Sequence, residues 1–553
     1  MPFQSPYPQL TIPKCNILDY VFPTSKPLSN APIWMEAADP SNSLSQSQML
    51  SWVKRFALGL DRFGIQEGRT IMVFTPNHIY VPMAYLAAAG SKRIFTGANP
   101  IYTVDEVAFQ MKTIEAALVL IHPSLLETGL KAVEQAQIPV SRVFQFAAVE
   151  CSVSRGIKDW RTLVASTQDA ETYSFDPLLG DASIETIAAI NFSSGTTGLP
   201  KGVCVSHHNI VSNAAQCLYS KFHGTEQTES DPGEERWLAF LPLYHAYSQL
   251  FSIGIAGRLQ IPVYVMAKFS FEEFLSYIER FKITTLQTVP PILVMLSKRP
   301  EATKYDISSV RHILCGAAPL SRELQNEIST RYKVVVAQGW GMTETTSAGA
   351  LTPGMMQDQT GSIGFLLPNT EAMLVNEDGK ENMKEGDPGE LYIRGPQIML
   401  KYWKNEKATK ESITPDGWLR TGDVAVIKQD KIWLVDRKKE LIKVNGLQVA
   451  PAELEAILLE NEAVADAGVT GITVHGQELP RAYVVPQQGS EITTDDVQNF
   501  VAKQVAKHKR LTGGAVFVDE IPRLPSGKIV RKLLKEWGKR DAEAIEGRTR
   551  AKL

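Results

Sequence analysis

At 553 residues the chain exceeds the size at which a single hydrophobic core keeps growing, so two or more domains are expected. Hydrophobic residues make up 44% and charged residues 21%, the mix of an ordinary globular protein. A net charge of −3 provides no overall pull toward nucleic acid or an anionic membrane. No run approaches 18 uninterrupted apolar residues, so no membrane span is expected. The first residues, "MPFQSPYPQLTIPKCNILDYVF", lack a basic region followed by an apolar run, so no secretory signal is expected either. Five scattered cysteines (Cys15, Cys151, Cys204, Cys217, Cys315), odd in number and without C-x-x-C spacing, argue against a disulfide framework or a zinc site. They read as small core residues of a protein kept in a reducing compartment.

From about Met49 to Lys333 short apolar runs alternate with helix-like stretches, the signature of βαβ layering. "RTIMVFTP", "AALVLIH", "ETIAAINFSSG" and "HILCGAAP" each read as a strand ending in a loop, and ligands collect at the carboxyl ends of strands in open α/β sheets. Between about Met355 and Val435, short strands ("AMLVN", "GELYIRG", "KIWLVDR") alternate with Gly, Pro, Asn and Asp turns, which predicts a small β subdomain. After Asp436-Arg437 the chain restarts as a compact α+β unit, with a helix in "APAELEAILLEN", a strand in "RAYVVP" and a helix from about Thr494 to His508. The predicted fold is therefore α/β: a large N-terminal domain over 1–435, layered α/β plus the β subdomain, and an α+β C-terminal domain over 436–553. The charged segment "EGRTRAKL" is expected to be loose and to leave Ala551-Lys552-Leu553 accessible. That triplet is a conservative variant of the Ser-Lys-Leu address read by the peroxisomal import receptor.

Two loops carry the chemistry. In "INFSSGTTGLPKGV" the glycines let successive N–H groups converge on an anion, and Ser193, Ser194, Thr196 and Thr197 add hydroxyl donors around Gly195. Lys201 adds a point charge for outer phosphates. The loop is not a Walker A loop, because Pro200 stands where that motif has glycine before the lysine. Far along the chain, "PSGKIVRK" presents Lys528 on a second short loop. Two phosphate-seeking loops so far apart point to a nucleotide site shared between two parts of the molecule.

"FSSGTTGLPKGV" resembles the phosphate loop of the adenylate-forming superfamily, which includes acyl-CoA synthetases, adenylation domains and beetle luciferases. The resemblance continues in order through "LPLYHAY", "CGAAPL", "QGWGMTET", "GELYIRG", "GWLRTGD", "DRKKELIKVNGLQVAPAELE" and "PSGKIVRK", and is nearest to the 4-coumarate:CoA ligase-like branch. It implies an enzyme that joins a carboxylate to the α-phosphate of ATP, releases pyrophosphate and passes the acyl group to coenzyme A. The alternatives within the superfamily are loading of a separate carrier protein and a luciferase-like oxygenase.

Residue by residue, the resemblance implies that Glu344 approaches a magnesium ion bridging the phosphates and that Thr343 donates to the α-phosphate; a helix cap with an acidic first turn is the other reading of that pair. Asp423 would accept from the ribose hydroxyls, with Arg437 at the same end. Gly316, Ala317 and Ala318 would lie against the purine, and Gln338, Gly339 and Trp340 would line the adenine and acyl side. His245 would border the acyl site, with Tyr247 and Phe251 in the acyl pocket and Pro290 nearby. Phe251 stands where related plant enzymes often carry a small polar residue, so the pocket is expected to be narrower or more apolar and to take an aromatic or medium-sized apolar acid. Lys528 would bridge the substrate carboxylate and the α-phosphate. Lys268, Lys439, Lys443, Asn445, Gly446 and Gln448 would meet the nucleotide or coenzyme A once the C-terminal domain turns about Asp436-Arg437; Asn445 stands where relatives commonly have lysine.

Overall fold

The computed structural model describes residues 2–193, 200–376, 378–382, 384–444, 447–524 and 527–550. Two large sheets form the N-terminal part. In the eight-stranded sheet, Thr70–Phe74 lies parallel between Ile94–Ala98 and Leu118–Ile121. These strands are apolar and almost wholly buried, as strands covered on both faces must be. The helix Tyr80–Gly90 is buried along its whole length, packed against the strands Ile94–Ala98 and Ile187–Ser193 and the helix Gln46–Arg62. At the other end of this sheet Ile187–Ser193 turns back as the antiparallel strand Lys201–Ser206, with Ser193 opposite Lys201.

The second sheet has 15 strands. Its parallel half contains Thr285–Thr288, His312–Cys315 and Val335–Trp340 side by side. At Gly339 and Trp340 the pairing changes sense, because Ala350–Leu351 runs antiparallel to them. From there antiparallel strands continue through Phe365–Leu366, Lys431–Arg437, Leu419–Lys428, Pro388–Arg394 and Glu371–Val375. The expected β subdomain is thus hydrogen-bonded into the α/β sheet, and Val335–Trp340 is the strand at which the two textures meet.

Beyond Arg437 lie a short hairpin, Ile442–Val444 with Leu447–Val449, and the helix Pro451–Glu460. A three-stranded sheet follows, in which Val464–Val474 and Gln477–Pro486 are antiparallel and Ala515–Phe517 adds a parallel edge. Two differences from expectation arise here. The helix starting at Thr494 stops at Gln504, and Lys507–Lys509 forms a separate 3-10 turn. The charged C-terminal segment is not loose up to Arg550: the final helix spans Arg531–Arg550. Leu534 on this helix is buried against Tyr483 and Ile521, and Ala542 and Ile545 pack with Ile472 and Val474, so apolar contacts along the helix anchor the polar segment.

Candidate functional site

A cavity opens where the two pairing senses meet. One wall is the end of Val335–Trp340, another is the loop after His312–Cys315, and a third is the segment His245 to Phe251. Lys528, from the C-terminal domain, closes the fourth side and is the one charged residue among the described residues that line it. Beyond the cavity a wide cleft separates the two parts of the chain, with Pro290, Ala318, Gln338 and Lys439 on its walls.

His245 caps the short helix Ala246–Ser248, its Nδ1 accepting the Tyr247 N–H at 3.3 Å. That bond assigns the proton of the neutral ring to Nε2, which becomes a donor. The ring is neutral because burial, and after it the Lys528 charge, pushes its pKa down to about 3. The helix then widens into a π-helical stretch over Gln249–Ile255, which carries Phe251. Phe251 is buried and meets the Tyr247 ring edge-on, with centroids 5.3 Å apart. The Tyr247 hydroxyl is already used, donating to the Leu314 carbonyl at 2.9 Å. The apolar end of the cavity therefore has aromatic walls and no spare hydroxyl from Tyr247. Ala317 sits at φ +69°, a left-handed conformation costing about 1–2 kcal/mol for a residue with a Cβ, in the loop facing these rings.

Lys528 rides a tight hairpin. Arg523 bridges to Ile529, the Leu524 N–H donates to the Lys528 carbonyl at 2.8 Å, and the Gly527 N–H donates to the Leu524 carbonyl at 2.8 Å. Gly527 has φ +79°, and a Cβ there would come within 3.0 Å of Val289 and 3.1 Å of Pro291, so glycine satisfies both the turn and the close approach. Burial, and next the Arg437 guanidinium, hold the Lys528 ammonium below the ordinary lysine value; Glu344, Asp423 and Glu440 pull it back up. The lysine thus sits at the mouth of the cavity in the field of the Arg437 guanidinium and of three carboxylates.

Asp423 is buried, and its Oδ2 accepts the Trp340 indole N–H at 2.8 Å while its Oδ1 lies 3.3 Å from Arg437 Nε. Burial raises its carboxyl above the usual value, and Arg437 and the indole partly offset that. Asp423 and Arg437 are cross-strand partners, so the sheet itself sets their distance. Glu344, also buried, is the middle residue of a 3-10 turn over Thr343–Thr345 whose N-cap is Met342 rather than Thr343. Its Oε1 accepts the Tyr402 hydroxyl at 2.8 Å, and Lys201 Nζ stands 4.7 Å from the centre of the Tyr402 ring. Ser193 Oγ is buried with no partner among the described residues.

The structure brings His245, Tyr247, Phe251, Gly316, Ala317, Gly339, Trp340, Thr343 and Lys528 into one cavity, with Glu344, Asp423 and Arg437 around the lysine. It does not bring Lys268, Lys443 or Gln448 there; all three are exposed, and the last two lie opposite each other in the hairpin beyond Arg437. The Gln338 amide donates to Gln325 at 2.8 Å, toward the helix Arg322–Tyr332 and away from the cavity, so any contribution from it to a ligand comes through its backbone and the cleft wall. Ser194, Gly195, Thr196, Thr197, Asn445 and Gly446 lie outside the described residues. Tyr402 was not found by sequence reasoning: "KYW" carries no motif, and its place under Lys201 comes from the pairing of Lys401–Tyr402 with Lys201–Ser206.

The AMP-binding enzyme family matches residues 25–403, and the AMP-binding enzyme C-terminal domain matches residues 453–528. The chain is 36% identical over 523 residues to acyl-CoA synthetase ACTT5 of Alternaria alternata, covering 92% of this chain and 88% of the relative. It is 35% identical over 542 residues to 4-coumarate--CoA ligase 5 of Oryza sativa subsp. japonica, covering 96% of each. The crystal structure of ATP-bound MatB from Rhodopseudomonas palustris superposes with a TM-score of 0.80 at 25% identity, over 95% of this chain and 99% of that one. The chain therefore belongs to the AMP-binding enzyme family, in the adenylate-forming group of acyl-CoA synthetases and 4-coumarate-CoA ligase-like proteins.

Proposed function

We propose that this ligase is an ATP-dependent, AMP-forming acyl-CoA synthetase. It activates an aromatic or medium-sized apolar carboxylic acid as acyl-AMP, releasing pyrophosphate, and then passes the acyl group to coenzyme A. The observation that carries this reading is Lys528, supplied by the C-terminal domain and lining the same cavity as His245 and Trp340.

A carboxylate attacking a phosphate brings two anions together, so catalysis needs cations and donors aimed at the developing charge. Lys528 supplies the cation between carboxylate and α-phosphate, a contact stronger in the transition state than between separated reactants. Neutral His245 offers Nε2–H to the carboxylate, and Thr343 donates to the α-phosphate. Asp423, with Arg437 beside it, accepts from the ribose. Ser193 to Thr197 and Lys201 hold the outer phosphates; the buried Ser193 hydroxyl, without a partner among the described residues, supports a ligand there. Magnesium takes one or two carboxylates and completes its shell with phosphate and water oxygens. Glu344, buried beside Lys201 and Tyr402, fits as that carboxylate, and the ion would neutralise phosphate charge. The apolar walls from Tyr247, Phe251, Leu314 and Leu351, with no cation besides Lys528 among the described residues, support an acid lacking a second charge.

For the second half-reaction the division at Asp436 (1–435 and 436–553) is a pivot, about which the C-terminal domain turns to bring Lys439, Lys443, Asn445, Gly446 and Gln448, with Lys268, toward coenzyme A. The exposure of Lys443 and Gln448 while Lys528 occupies the cavity supports such a two-position scheme. Ala551-Lys552-Leu553, as a receptor-read address, is proposed to direct the protein to the peroxisome; these residues lie outside the described ones.

The test separates the half-reactions with a panel of carboxylic acids. Pyrophosphate release should require acid and ATP, and thioester should appear only with coenzyme A. Lys528→Ala should slow pyrophosphate release by about 100-fold or more while leaving transfer from a supplied acyl adenylate within about twofold. Unimpaired adenylation in that variant would sink the assignment.

A further inference from the structure

The helix Pro290–Lys298 of the N-terminal domain touches the C-terminal domain at both ends. At its start, Val289 and Pro291 pack against Gly527, the residue before Lys528. At its end, Lys298 Nζ donates to the Asn461 carbonyl at 3.1 Å and also to the Val464 carbonyl. Asn461 is the C-cap of the helix Pro451–Glu460, whose last carbonyls have no partner within the helix, and a cation there also meets the negative end of the helix dipole. Three residues on, Val464 opens the strand that carries Asp466. Asp466 grips Arg523 through two contacts, at 2.7 and 3.0 Å, and Arg523 Nη1 donates to the Gly527 carbonyl at 2.9 Å. A continuous path of named contacts thus runs from Lys298 to the loop that carries Lys528.

The strut is itself held firmly. Arg331 donates to the Ser297 carbonyl at 2.6 Å, the Tyr332 hydroxyl donates to the Leu296 carbonyl at 2.7 Å, and Ser297 Oγ donates to the Glu327 carboxylate. Burial holds the Lys298 ammonium below the ordinary lysine value, with Glu327, Asp466 and Glu462 working in the opposite direction. Long lysine side chains are ordinarily solvated; this one is partly buried and spent on two backbone carbonyls of the other domain.

We propose that Lys298 is a positioning residue that latches the C-terminal domain in the orientation carrying Lys528 into the cavity, and so favours adenylation over thioester formation. The proposal rests on the reading of Lys528 given above. A latch that holds only this orientation, when lost, weakens one half-reaction and leaves the other free. Lys298→Met keeps most of the aliphatic length and removes the donor, and Lys298→Arg keeps a cationic donor.

In the full-length enzyme, single-turnover pyrophosphate release and single-turnover transfer from a supplied acyl adenylate to coenzyme A are measured separately, together with the melting temperature. Lys298→Met should lose about tenfold in adenylation, the scale of a hydrogen bond made by a charged group. Transfer should stay within about twofold, and Lys298→Arg should recover most of the loss. A parallel fall in both half-reactions and in melting temperature would make Lys298 merely structural and overturn the proposal, as would unchanged adenylation in Lys298→Met. Adenylation lost in Lys528→Ala but intact in Lys298→Met rejects the latch alone; adenylation retained in Lys528→Ala rejects the reading beneath it.

Discussion

The Trp340 indole serves two neighbours at once: its ring walls the cavity and its N–H satisfies buried Asp423. Phenylalanine in its place keeps the wall and removes the donor. An acceptor left short of a donor in a buried site costs about 1–3 kcal/mol, softened here by Arg437 at 3.3 Å. Trp340→Phe should therefore raise the KM for ATP roughly tenfold while changing the KM for the acid little. The sign of the pH effect follows from the same bond. Burial already raises the Asp423 carboxyl, and removing a donor that favours the charged form raises it further. The acid limb of kcat/KM for ATP should shift to higher pH in the variant, and an unshifted limb would mean that Asp423 does not act on the nucleotide. Part of this was legible beforehand. Ordered motifs marked Trp340, Asp423 and Arg437 individually, but their mutual bonds depend on strands far apart in the chain, which no local spacing encodes. Gln338 was read as lining the site for the same reason. It does stand on the wall of the wide cleft, but its amide is held by Gln325, a partner on a helix that the motif does not contain.

Among the elements, the hairpin around Lys528 is the one most exposed to a single change. Gly527→Ala would place a Cβ at φ +79° and press it on Val289 and Pro291. The left-handed conformation alone costs about 1–2 kcal/mol for alanine. Adenylation should fall about tenfold or more with little loss of melting temperature, because the strain is confined to a loop; single-turnover pyrophosphate release checks it. Most strands were legible because they are short apolar runs buried on both faces, such as Thr70–Phe74 and Leu118–Ile121. The union of the parallel and antiparallel halves at Gly339 and Trp340 was not, since a change of pairing sense leaves no local pattern. Nor was the helicity of Arg531–Arg550, a polar segment whose few apolar residues, Leu534 and Ala542 among them, pack on strands distant in the chain.

At the scale of the molecule, no described helix is long and apolar enough to cross a membrane, and the five cysteines are free, three of them buried. The proposed address is tested by Leu553→Asp in a protein tagged at its N-terminus, which should change a punctate distribution coincident with a peroxisomal marker into a diffuse one; persistent puncta would refute the address. The ladder between Leu419–Lys428 and Lys431–Arg437 has a consequence of another kind. It sets Asp423 directly across from Arg437, so the proposed ribose acceptor and the proposed pivot are adjacent rungs of one sheet. On that proposal, the axle of the rotation would be built into the floor of the nucleotide site. A change of cargo, from ATP to acyl adenylate, would then be felt at the turning point itself, with no relay through the body of the protein to tell the C-terminal domain that its first task is done.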